Sequence, residues 1–262
     1  MKIDERVHRL REAVRNDPRI VAALLYGSWT TGEADEHSDI EAYVFVAPGQ
    51  EVEPRAFAEQ VAPVRLCHTN MFGVHSVIFD DLMRGEFHFD PADEIDKIAA
   101  WQGMVHLPDP ERAVLVDRDG RLTELARELG PVEPPSAETA QVKADELANW
   151  TLMVSHLIAR GEAARAAFFL NSVVAPHQLQ LLRLLHGSTD HWLTPSRALE
   201  QDLPAFVERH AATTAAAELT AVARAARESW VWSRELVAEA HGRWGTAYDP
   251  GLHADIAAQL SR

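Results

Sequence analysis

The chain is short of several things, and each shortage narrows its chemistry. There is one cysteine, Cys67, in 262 residues, so no internal disulfide can form and a cytoplasmic location is the expectation. No apolar run approaches the ~20 residues needed to span a bilayer. The longest candidates, such as ARAAFFLNSVVAP, are interrupted by polar residues. The opening stretch MKIDERVHRLREAVRNDPR is charged throughout and reads as something other than a signal peptide. Basic residues are scarce, with 25 Lys and Arg against 40 Asp and Glu and a net charge of −15. A protein that tracks a nucleic-acid backbone needs a basic surface, so DNA and RNA are not expected substrates. The phosphate-loop pattern GxxxxGK[ST], the dinucleotide fingerprint GxGxxG and the GxSxG elbow do not occur, which sets aside kinase and hydrolase readings. The 13 histidines form no HExxH pattern and no spacing with a cysteine pair.

What is present reads as two unlike halves. Ile3, Val7, Leu10 and Val14 recur at helical spacing, so a helix is predicted over 3–16, ended by Pro18. RIVAALLY and DIEAYVFVA read as buried strands. PVRLCHT and GVHSVIFD read as two more, joined at NMFG, and RAVLVDRDGR as another. The segment LGPVEPPSAET carries three prolines and a glycine and reads as a linker. Beyond it the expectation is helix only: one over AETAQVKADELANWTLMVSHLIARG, capped at Ser136 or a neighbour, and one over EAARAAFFLNSVVAPHQLQLLRLLHG, bent at Pro176. A long third helix is expected over TAAAELTAVARAARESWVWSRELVAEAHGRW. The expected fold is α+β, with a mixed sheet and flanking helices over 1–133 and an all-α bundle over 134–262.

One stretch carries chemistry: YGSWTTGEADEHSDIEAYVF, Tyr26 to Phe45. Gly27-Ser28 follows a strand, where a tight turn can turn backbone N–H groups toward a phosphate. Ten residues separate Ser28 from Asp39. In a strand, Asp39, Glu41 and Tyr43 share one face. A carboxylate at the mouth of a buried strand is costly unless it is paired or binds a metal. Mg²⁺ prefers such oxygen ligands together with substrate phosphates. Gly-Ser is a common turn and an Asp-x-Glu strand can simply face solvent. Both in this order and spacing, on consecutive strands, are far more specific. His37 reads as a solvated loop residue, Trp29 as able to pack near a nucleotide, and Cys67 as a small buried residue.

Gly27-Ser28, the ten-residue spacer and SDIE resemble the signature of the nucleotidyltransferase superfamily that includes DNA polymerase β and the antibiotic nucleotidyltransferases. VIFDDLMRGEFHF (Val77–Phe89), ARGEAAR (Ala159–Arg165) and LQLLRLL (Leu179–Leu185) are similar to segments of the larger, LinB-type lincosamide nucleotidyltransferases, and the resemblance runs through nearly the whole chain. It implies a polymerase β-like N-terminal domain and a C-terminal substrate-binding and dimerisation domain. It implies Mg²⁺-dependent transfer of a nucleoside monophosphate, AMP from ATP first, to a hydroxyl of lincomycin or clindamycin, by a homodimer holding substrate between its domains. Carried over, Asp39 and Glu41 would be metal ligands, Gly27 and Ser28 the triphosphate cradle, and Ser38 a supporting residue of the nucleotide site. Glu86 would be the third carboxylate and general base. Asp80 and Asp81, at the end of a predicted strand, are its rivals. An exposed loop is the plain alternative for Glu86, but Phe87 and Phe89 suit a half-buried site better. Arg84 would touch phosphate or pair with a neighbouring acid. His88, two residues beyond Glu86, would hydrogen-bond substrate or nucleotide. Trp192, in GSTDHWLTPSRALEQDL, is expected to be structural. Alternatives remain open: an aminoglycoside or another hydroxylated metabolite as acceptor, or a nucleotide-binding, antitoxin-like module without transfer activity.

Overall fold

The computed structural model describes residues 3–131, 134 and 136–262. The chain divides into two compact units, Met1–Pro131 and Val132–Arg262. Val132, Glu133 and Pro135 of the expected linker lie outside the described residues, as does the position before Ser136 where a cap would sit.

The first unit is built on one mixed sheet. Among the described residues its strands are β1 (Ile20–Tyr26), β2 (Ile40–Val46), β3 (Val64–Thr69), β4 (His75–Phe79), β5 (Arg84–Pro91) and β6 (Val114–Asp117), in the order β3-β4-β5-β2-β1-β6. Every neighbouring pair is antiparallel except β2 and β5, which run parallel. A parallel pair needs a crossover, and the chain between β2 and β5 supplies it with α3 (Pro54–Val61), β3 and β4.

Alternation along the strands sorts the two faces. Ala23 and Leu25 of β1, Ile40, Ala42 and Val44 of β2 and Phe87 of β5 are buried against α1 (Ile3–Asn16) and α3, through Val7, Leu10, Val14, Phe57 and Val61. The opposite face takes Ala22, Leu24 and Phe45. It is covered by a 3₁₀ segment, Ala92–Trp101, which meets β2 and β5, and by α5 (Arg121–Glu128), which meets β6, through Ile95, Ile98, Leu122 and Leu125. Two single-turn helices, α2 (Ser28–Thr31) and α4 (Pro110–Ala113), complete this unit. Glu86 therefore lies on a strand and not on a loop.

The second unit is helical throughout. It contains α6 (Ser136–Ala159), α7 (Ala163–Phe169), α8 (Ala175–His186), α9 (Leu199–Asp202), α10 (Val207–Ala212), α11 (Leu219–Trp244) and α12 (Pro250–Leu260). Leu147, Val154, Leu157, Leu181, Leu182, Trp230, Trp232 and Val237 form its core. The bend expected at Pro176 is a π-helical turn, Leu170–Val174, just before α8. Proline has no N–H to give to the preceding turn, and the wider turn accommodates it. The long helix begins at Leu219, because the Glu218 side chain accepts from the backbone N–H groups of Thr220 and Ala221 and caps it there. Among the described residues no helix is long and apolar enough to cross a membrane.

Candidate active site

The register of three adjacent strands places Tyr26 opposite Glu41, and Glu41 opposite Glu86. These three side chains form one row across β1, β2 and β5, on the face away from α1 and α3. Asp39 stands at the mouth of β2, two residues before Glu41, and Arg84 opens β5, two residues before Glu86. The side chains of Asp39 and Glu86 are 31% and 25% exposed, so both are sheltered yet reachable.

Arg84 joins these acids. Its Nη1 donates to Asp39 Oδ2 at 3.3 Å and its Nη2 to Glu86 Oε1 at 2.7 Å. The structure thus pairs Arg84 with the neighbouring acids, one of the two roles open in the sequence.

Gly27 is needed for two reasons. Its backbone lies at φ 77° and ψ −156°, a region essentially restricted to glycine. A β-carbon on it would stand 1.8 Å from Glu41 Oε2, so the Glu41 carboxylate occupies the space a side chain would fill. Ser28, next in the chain, is buried and opens α2. Thr30 Oγ1 donates to the Gly27 carbonyl at 2.7 Å and Thr31 Oγ1 to the Ser28 carbonyl at 3.1 Å, which ties down the tight turn.

Ser38 acts one step away. Its hydroxyl donates to Asp35 Oδ1 at 2.9 Å and accepts from the Asp35 N–H at 2.9 Å. The hydroxyl is directed at Asp35 and orders the turn that delivers Asp39 to β2. Hydrogen bonds from the His37 N–H and the Ser38 hydroxyl hold the Asp35 carboxyl below its ordinary range.

The two rivals of Glu86 have other partners. Asp80 pairs with Arg65 at 3.3 Å, on an exposed sheet edge. Asp81 accepts from Nη2 of the fully buried Arg6 at 2.7 Å. Its carboxyl is held down to about 2: hydrogen bonds, Arg6 among them, outweigh the desolvation that would raise it.

Beside the acidic row lies an aromatic group that the sequence did not single out as a unit. The Tyr26 hydroxyl and His88 Nε2 are 3.0 Å apart, Tyr43 stacks on His88 at 4.0 Å, and Trp101 meets both tyrosines edge-on. His88 therefore contacts Tyr26. Burial holds its imidazole below the usual pKa, in the neutral form. Burial, then the charges of Glu41, Glu86 and Asp39, raises the Tyr26 hydroxyl far above its usual range, so it stays protonated beside the carboxylates. Period-two spacing along VIFDDLMRGEFHFDP was the signal that could have assigned Arg84, Glu86 and His88 to one strand face. Trp29 is buried against α1, its Nε1 donating to Asp4 at 3.1 Å, with the Arg112 guanidinium 4.2 Å from its ring centre. Its indole is engaged there. Cys67 is half-buried and not fully enclosed.

The donor set suits a hard divalent cation. Asp39, Glu41 and Glu86 offer carboxylate oxygens only, and Asp39 and Glu86 already converge on one cationic group. Among the described residues no three His, Cys, Asp or Glu side chains form a preassembled metal cluster.

Comparison with known proteins bears on the helical half. Residues 136–260 match the family model of the lincosamide nucleotidyltransferase-like C-terminal domain. No curated protein matches the chain. Among solved structures, an aminoglycoside 6-adenyltransferase from Bacillus subtilis is similar to it at 14% identity and a TM-score of 0.46. That alignment covers 100% of this chain and 98% of the other. A nucleotidyltransferase-like protein from Exiguobacterium sibiricum 255-15 is similar at 11% identity and a TM-score of 0.43, covering 96% and 88%. The helical half, residues 136–260, is thus similar to the lincosamide nucleotidyltransferase-like C-terminal domain.

Proposed function

We propose that the protein transfers a nucleoside monophosphate, AMP from ATP, to a hydroxyl of a lincosamide antibiotic, with Mg²⁺ held by Asp39 and Glu41. The observation that carries this reading is the in-register row of Glu41 and Glu86 with Asp39 at its mouth and Gly27 bare beneath Glu41. The lincosamide is the acceptor class that the family of the helical half suggests.

In the reaction, the acceptor oxygen forms a bond to the α-phosphorus and the bond from that phosphorus to the bridging oxygen breaks, releasing pyrophosphate. Glu86 takes the proton of the acceptor hydroxyl as the new bond forms. Gly27 and the first turn of α2 present backbone N–H groups to the triphosphate. Asp39 and Glu41 hold Mg²⁺, which when bound neutralises charge on the phosphates. Tyr26, kept neutral, borders the row without adding charge. The functional protein is a homodimer, an inference from the family resemblance alone.

The test is pyrophosphate release from ATP or GTP with Mg²⁺, with and without lincomycin, in wild type and Glu86→Gln. Release that depends on lincomycin and is lost in Glu86→Gln supports the reading. Release that is indifferent to Glu86 removes that residue as the base.

A further inference from the structure

Arg84 and a divalent cation would compete for one carboxylate, that of Asp39. The guanidinium spans Asp39 Oδ2 and Glu86 Oε1, joining the proposed metal carboxylate to the proposed base. Its side chain is 57% exposed, and ion pairs this open are weak and readily exchanged. It also has room to leave. A cleft of about 600 Å³ opens beside it, lined by Glu36, His37, Asp39, Asp81, Leu82 and Met83.

We infer that Arg84 is a displaceable cation: it holds Asp39 and Glu86 in position, and a divalent cation binding at Asp39 must drive it out. The inference rests on the reading of Asp39 and Glu41 as metal ligands. A guanidinium and a divalent ion within about 4 Å of each other repel, so each weakens the other's hold on the Asp39 carboxylate. Releasing Arg84 therefore subtracts from metal affinity. Its departure also frees Glu86 to accept a proton, which links metal entry to exposure of the base.

The probe is Mn²⁺, titrated into the full chain without nucleotide and followed by the electron paramagnetic resonance of the free ion. Arg84→Gln is expected to bind Mn²⁺ about tenfold more tightly than wild type, because no cation competes. Arg84→Lys should fall between them, since one ammonium cannot span both acids in the planar manner of a guanidinium. Thermal melts of both variants check that the fold is intact, as expected for a side chain this exposed. Equal or weaker Mn²⁺ binding in Arg84→Gln overturns the displacement. A separate arm tests the reading beneath it: Asp39→Asn should abolish the binding, and Mn²⁺ affinity unchanged by Asp39→Asn would overturn the metal site itself and this inference with it.

Discussion

The carboxylate of Glu41 takes the space that a side chain on Gly27 would require, with Oε2 1.8 Å from the position of a β-carbon. Glycine at 27 is thus a condition for where Glu41 can sit. Gly27→Ala should push the carboxylate away and strain a backbone at φ 77°. A displacement of about 1 Å at a reacting centre costs about a hundredfold. The expected outcome is a loss of kcat/KM of that size or greater in steady-state assay, with the protein still folded by circular dichroism. Near-normal activity would mean that the position of Glu41 does not matter.

With Glu86 as the proposed base, Glu86→Gln should lower kcat by about 10²–10⁴-fold, the usual span for removing a general base, while ATP binding by calorimetry stays close to wild type. Asp80→Asn is the contrasting variant. Asp80 pairs with Arg65 at the sheet edge, so its loss should leave kcat unchanged.

Arg6 is fully buried, donates to Asp81 and lies 4.2 Å from the centre of the Phe79 ring. Asp81→Asn leaves the buried guanidinium without its charged partner. The Asp81 side chain is 38% exposed, so solvent screens the pair and the cost falls below that of a fully buried one, about 2 kcal/mol. The folded carboxyl, at about 2, lies below its unfolded value. Its contribution is therefore fully present above the unfolded value of about 4 and is lost as pH falls through the folded one. Denaturation midpoints of wild type and Asp81→Asn should differ at pH 6 and converge as pH approaches 2.

In the helical unit, Arg183 is also fully buried. It donates from Nε to the Pro195 carbonyl at 2.7 Å and from Nη1 to Ser188 Oγ and Asp202 Oδ2, each at 2.9 Å, and its Nη2 reaches the Arg197 carbonyl. One side chain thereby anchors the stretch between α8 and α9. Arg183→Leu should destabilise this unit by about 3–5 kcal/mol, by stranding Asp202 and the carbonyls. Hydrogen exchange over residues 188–202 should rise first, and Arg183→Lys, lacking the planar fork, should rescue little of it.

The legible parts of the fold were those written in local patterns. The α1 periodicity, the apolar runs of β1 and β2 and the apolar, strand-free sequence after the linker each reflect burial of one face, and α+β followed by helix was the result. The turn at Gly27-Ser28 and the shared face of Asp39 and Glu41 were likewise local. What was hidden depends on long-range pairing. Glu86 comes opposite Glu41 only because β5 runs parallel to β2 after a crossover of more than 30 residues. Arg84 could reach Asp39 only through that same pairing, so the sequence left its partner open. The 3₁₀ cover Ala92–Trp101 and the short helices α2, α4, α9 and α10 are too brief for periodicity to reveal.

The most direct test is mass spectrometry of lincomycin, clindamycin and kanamycin after incubation with the protein, ATP, GTP and Mg²⁺, beside an Asp39→Asn control. The predicted result is a nucleoside-monophosphate adduct on a lincosamide, absent in the control. An adduct on kanamycin alone would contradict the acceptor, and an adduct that persists in Asp39→Asn would contradict the carboxylate site on which the whole account rests.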